Sequence, residues 1–256
     1  MIKRKLVDEY RLFRQQVTWV EYAVWWVVRF ILLFALVNAI AQERSEATIL
    51  QLGAEFGLSF LLPLLHLLPR KVFLARINYR VQDVVIVMLL VTAYFGQYKA
   101  FYSHSEWFDA YLHIIGCFLF VYAGYELTMA LKRDDLPLTP LVAAMCGFGF
   151  SFFFAVGWEI FEFFCDNYFV DSNSQNWMNS NSEQLLALMP RIDPQRYALL
   201  DTMSDLVAGT IGSLLGGLAL YPYVYFVNKK SAGLTLLEKK TDTAKVKKQP
   251  KQWRVG

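Results

Sequence analysis

Apolar residues in this chain fall into long blocks, and its charged residues are concentrated in the gaps between them. The blocks lie at about 22–41, 48–68, 82–98, 108–131, 139–166 and 201–227. Most reach the roughly 20 residues that a helix needs to cross a ~30 Å hydrocarbon core. The pattern predicts an all-α, polytopic membrane helix bundle of about six transmembrane helices. Residues 1–20 form a polar, basic arm (Lys3, Arg4, Lys5, Arg11, Arg14), 21–227 the transmembrane domain, and 228–256 a Lys-rich tail expected to be unordered and solvated.

The blocks are not equivalent. The first carries Trp25 and Trp26, suited to a membrane interface, and Arg29. Arg29 reads as a snorkelling residue at the inner edge, with Glu55 as the alternative internal partner. The second block holds Glu55, Ser59, Pro63 and His66, so it belongs inside the bundle, and Pro63 is expected to kink it or end it early. The third ends in Tyr94, Gln97 and Tyr98, an interfacial signature. Residues 167–200 form a connection rich in Asn and Ser, long enough to act as a lid or binding loop. Within it, 182–189 is a candidate interfacial helix.

Composition agrees with this reading. Of 256 residues, 56% are hydrophobic and 16% aromatic, which excludes an ordinary soluble domain. The net charge of +3 says little, because the placement of Lys and Arg matters more than their sum. The arm, the second and fourth connections and the tail hold 20 of the 25 basic residues. Six spans then put both termini in the cytoplasm, and the expected location is a bacterial inner membrane, multi-pass. Cys117, Cys146 and Cys165 sit in apolar blocks without paired spacing and read as packing residues. The N-terminus lacks a signal-peptide pattern. No nucleic-acid module, phosphate-binding glycine loop or Ser-His-Asp order is present, and the expected partner is membrane lipid.

Candidate chemistry is concentrated at one membrane level. The fifth block ends in Gly157-Trp-Glu-Ile-Phe-Glu-Phe-Phe-Cys-Asp166, which puts Glu159, Glu162 and Asp166 on one helix face. The sixth begins with Asp201-Thr-Met-Ser-Asp205, and the fourth with Asp109 one turn before His113. With alternating helix directions, these seven groups fall within about 10 Å of depth below the outer surface. Small residues continue the same stripes inward, as Gly209, Gly212 and Gly216 and as Gly116 and Gly124, which lets backbones pack closely. Glu55 is a possible accessory member.

Six carboxylates so close cannot all stay charged without compensation: either several are protonated or cations sit among them. Oxygen ligands with one imidazole suit Mg²⁺, Mn²⁺ or Zn²⁺. The leading expectation is a metal-dependent hydrolase or transferase working at the outer leaflet on a lipid-linked substrate. His113, Glu159, Glu162, Asp166 and Asp205 would be the metal ligands, Asp109 or Asp201 the general base, and Arg191 and Arg196 the groups that receive an anionic headgroup. A water activated by the cation would be the nucleophile. Two other classes fit the same acids: a cation or proton-coupled transporter, and a non-catalytic scaffold with a structural cation site. For Asp109, Asp166 and Asp201, nearest the helix ends, plain solvation is the competing reading. His66, Asp83 and Glu126 read as interfacial, and His104 as solvated.

At these residues the chain resembles the YjdF-like family of uncharacterised bacterial inner-membrane proteins. The resemblance rests on Asp109-x-x-x-His113, on Gly157-Trp-Glu-Ile-Phe-Glu162 with Asp166, and on Asp201-Thr-Met-Ser-Asp205 with Gly209 and Gly212. It covers about residues 50–225. It implies a multi-pass bacterial membrane protein and brings no assigned activity. A looser likeness is to VanZ-like membrane proteins, from which the chain departs by carrying Glu162 and Asp205 where that pattern has Gln and Asn.

Overall fold

The computed structural model describes residues 2–105, 107–132, 136–169, 172–175 and 196–248, and among these all regular structure is helical. An N-terminal helix α1 (Ile2–Gln16) precedes α2 (Trp19–Ala41). Thr18 caps α2, accepting from the Glu21 amide at 3.2 Å, while Glu21 accepts from the Thr18 amide at 2.6 Å. Next come α3 (Glu46–Leu58), α4 (Leu61–Leu65) and a short 3₁₀ turn at Phe73–Arg76. Helix α5 (Val81–Leu89) continues as a π-helical stretch over Leu90–Tyr98. The single turn α6 (Phe101–His104) leads to α7 (Phe108–Leu131), α8 (Pro140–Tyr168) and α9 (Tyr197–Lys248).

Among the described residues, five stretches are continuous, long and apolar enough to cross a membrane: Trp19–Ala41, Val81–Tyr98, Phe108–Leu131, Pro140–Tyr168 and Tyr197–Ala232. The expected second span is instead two pieces, α3 and α4. It still returns along α2, because Ser45 caps α3 just past the end of α2 and Ser59 is level with Arg29, two to three turns into α2. Pro63 explains the break. It has no N–H to give the carbonyl four residues back, so the Ser59 carbonyl is orphaned inside the bundle. Arg29 Nη2 donates to that carbonyl at 2.7 Å and Gln82 Nε2 at 2.9 Å. Arg29 is therefore neither snorkelling nor paired with Glu55. It is 4% exposed, its guanidinium lies 4.4 Å from the Phe60 ring centroid, and it closes the end of a broken helix.

His66 is buried rather than interfacial, with its two ring nitrogens each 2.8 Å from a carbonyl, those of Leu62 and Ile77. The first core cluster joins α2, α3 and α5 through Trp25, Leu32, Leu52, Ile86 and Leu89. The remaining three long helices, α7, α8 and α9, pack on one another. The closeness of that packing depends on glycine. A Cβ on Gly212 would clash with the Ile114 carbonyl oxygen, and one on Gly216 would meet the Phe118 carbonyl oxygen at 2.7 Å. Helix α9 also runs on to Lys248, through the first two-thirds of the stretch expected to be unordered. Residues 229–248 contain seven Lys and three Leu, good helix formers, and no proline, so the helix continues despite Gly233.

Candidate functional site

Three helix ends build the site. Helix α7 starts at this end of the bundle, α8 finishes there and α9 starts there, so short sequence motifs far apart in the chain converge. Asp109 and His113 are one turn apart on α7, and His113 Nε2 lies 3.6 Å from Asp109 Oδ1. From α8, Glu159 Oε1 lies 3.8 Å from the same nitrogen. From α9, Asp205 offers a carboxylate oxygen, and the ligand atoms of Asp109, His113 and Asp205 all lie within 4.8 Å of one another. His113, Glu159 and Asp205 are buried, while Asp109 is half-buried.

Glu159 is the most informative member. It is 5% exposed, and neither carboxylate oxygen has a hydrogen-bond partner among the described residues. Thr202 lies beside it without reaching hydrogen-bond geometry. A carboxylate buried in this way costs several kcal/mol unless something compensates it. The nearby charges make it worse, since Asp205 has Asp109, Asp201 and Glu159 as charged neighbours. The 3.6 and 3.8 Å gaps are too long for hydrogen bonds. They come close to the ligand-to-ligand separation of about 3.4 Å that bonds of about 2.1 Å to a tetrahedral ion would produce. Asp109, His113 and Asp205, two carboxylates and an imidazole, are a donor set for a divalent ion, with Glu159 next to His113 outside that close group, and the imidazole favours Mn²⁺ or Zn²⁺ over Mg²⁺.

The other sequence candidates separate. Glu162 is half-buried, accepts from Trp158 Nε1 at 2.8 Å and faces Glu159, Asp109 and Asp205 as neighbouring charges. Asp201 is half-buried and acts on Asp109 and Asp205. Asp166 plays another part. It accepts from the Ser172 hydroxyl at 2.6 Å and from the amides of Ser174 and Gln175 at 2.7 and 2.9 Å, pinning the chain that leaves α8. Gln175 then donates to Thr202 at 2.9 Å, tying that chain to the first turns of α9. Arg196 is exposed at the start of α9. Arg191 and the candidate helix at 182–189 lie outside the described residues. Glu55 is buried but accepts from Thr92 at 2.7 Å and Gln51 at 3.0 Å.

Tyr102 carries no signal in the sequence, where an aromatic in a short connection reads as an interface residue. Its ring sits on Gly96, and Asp109, Glu55 and Glu162 surround its phenol electrostatically. Burial, reinforced by those carboxylates, holds the phenol well above its usual range.

Below the site the helices close. The Ser151 hydroxyl donates to the Cys117 carbonyl at 2.6 Å and lies 2.9 Å from the Ser213 hydroxyl, and Gly209 approaches Ala155 and Cys117.

A protein of Thermotoga maritima described as uncharacterized is 31% identical over 93 residues, which is 36% of this chain and 46% of that protein. The match therefore spans less than half the length of that relative. No solved structure matches the chain. A family model described as "Predicted membrane protein (DUF2238)" matches residues 23–225, which runs from within the first long span into the last. The chain belongs to the DUF2238 family of predicted membrane proteins.

Proposed function

We propose that this protein is a metal-dependent membrane hydrolase or transferase whose site opens at the outer face of a bacterial inner membrane, and that its substrate is lipid-linked. The observation that carries the reading is the buried carboxylate of Glu159, unpartnered and 3.8 Å from His113, beside the Asp109–His113–Asp205 group. Asp109, His113 and Asp205 would hold the ion, with Glu159, beside His113, as the fourth candidate ligand. A divalent ion bound there would supply an activated water at neutral pH. Glu162, fixed by Trp158, and Asp201 stand next to the ligands as the groups that take or return a proton. Arg196, exposed beside the same helix end, meets an anionic headgroup. The close contacts below the site favour a pocket reached from one side over a path through the membrane. The likeness to the YjdF-like family agrees with the bacterial location.

Metal analysis of detergent-purified wild type against Glu159→Gln and Asp205→Asn tests the reading. Wild type should retain a stoichiometric divalent ion and both variants should lose it. Metal-free wild type, with all three proteins folded, refutes it. Release of phosphate or headgroup from a lipid-linked diphosphate should then require the same ion. Orientation has its own test: with both termini cytoplasmic, a reporter fused after Gly256 gives a cytoplasmic signal, and an external signal moves the site to the other face.

A further inference from the structure

The N-terminal helix α1 has two sharply different faces. Inward, Leu12 and Phe13 pack on the first core cluster, Gln16 accepts from the Tyr79 amide at 3.1 Å, and Glu9 accepts two bonds from Arg70 at 2.6 Å. Outward, Val7, Tyr10, Arg11 and Arg14 are exposed, spaced i, i+3, i+4 and i+7 and so on one face. Val7 is 47% and Tyr10 63% exposed.

The helix does not stack end-on with α2. The Phe13 ring lies 5.7 Å from Tyr22, 6.2 Å from Trp25 and 5.3 Å from Tyr79. A continuous helix would place Phe13 and Trp25 about 18 Å apart along its axis. The chain therefore turns at Val17-Thr18 and lays α1 across the end of the bundle. The level of that end is marked by aromatic residues: Trp19, Tyr22 and Trp26 form a ladder on α2, with Trp19 71% exposed. Such a band sits where headgroups meet acyl chains. Glu9 is already matched by Arg70, and among the α1 side chains described, Arg11 and Arg14 are the exposed charges.

From this placement we infer that α1 is a headgroup-binding arm, lying in the polar layer of the adjacent leaflet and gathering anionic phospholipid against Arg11 and Arg14, with Val7 and Tyr10 dipping into the acyl boundary. Basic residues near an anionic membrane surface attract its headgroups, and aromatic side chains favour the same interfacial layer. The inference is independent of the metal site.

The test uses the full chain with benzoylphenylalanine in place of Tyr10, reconstituted in phosphatidylcholine vesicles containing a minor fraction of phosphatidylglycerol. After irradiation, lipid adducts are identified by mass spectrometry. Phosphatidylglycerol should be captured in excess of its mole fraction, and high salt should reduce the excess. An R11Q/R14Q background should lower it by up to about thirtyfold, since each cation near the surface contributes on the order of 1 kcal/mol. R11K/R14K should retain it. Capture at the bulk lipid ratio, capture unchanged in R11Q/R14Q, or no lipid adduct at all would each overturn the inference. So would adducts to an acidic protein in intact cells in place of lipid.

Discussion

Glu159→Gln separates the stability of this protein from its ligand binding, because the two should move in opposite directions. In the metal-free protein the substitution removes a negative charge that is 5% exposed and has no hydrogen-bond partner among the described residues. An unsatisfied buried group costs about 1–3 kcal/mol, and more when charged. The amide that replaces it is neutral. A gain of about 2 kcal/mol corresponds to a rise in Tm of roughly 4–8 °C for a chain of this size. With a divalent ion present that lead narrows, from about 2 to about 0.7 kcal/mol. An ion at a hundred times its Kd stabilises wild type by about 2.7 kcal/mol, and a variant bound tenfold more weakly keeps only about 1.4 kcal/mol of that. The measurement is thermal unfolding by tryptophan fluorescence in detergent, first in chelator and then across a Mn²⁺ or Zn²⁺ titration. A variant that is less stable than wild type in chelator, yet shifts equally with metal, would refute the account of Glu159 as an uncompensated ligand.

Three further outcomes follow from other parts of the structure. Gly212→Val drives a side chain into the Ile114 carbonyl, so it should part α7 from α9 and abolish metal retention, whereas Gly149→Ala, with nothing within 4 Å of its Cβ, should be neutral or stabilise by about 0.5–1 kcal/mol. Arg29→Met should destabilise by about 1–3 kcal/mol by stranding the Ser59 carbonyl, and Pro63→Ala should offset part of that loss by restoring an N–H donor; a double-mutant cycle read by thermal unfolding with no coupling would discard the link. Asp166→Asn should leave metal content at the wild-type level, because its carboxylate holds the Ser172–Gln175 chain; loss of the ion would return Asp166 to the ligand set.

The hydrophobic pattern alone was enough to place the long helices to within a few residues at most of their ends, since a membrane span is specified by length and continuous apolarity, both one-dimensional properties. It also located the acids at one level, because alternating helix directions make depth countable along the chain. Glycine spacing announced the close packing of α9 on α7 for the same reason. Pro63 signalled the break in the second span. What stood on the other side of that break, Arg29 and Gln82 reaching the orphaned Ser59 carbonyl, comes from α2 and α5 and has no local signature. The division of labour among the acids was equally hidden. Asp166 and Glu159 share a helix face, yet only packing decides that one caps a loop and the other is left bare beside His113. Depth in a membrane is a property of the chain, whereas which carboxylate finds a donor depends on what neighbouring helices place within about 3 Å of it, and that is settled only when the helices meet.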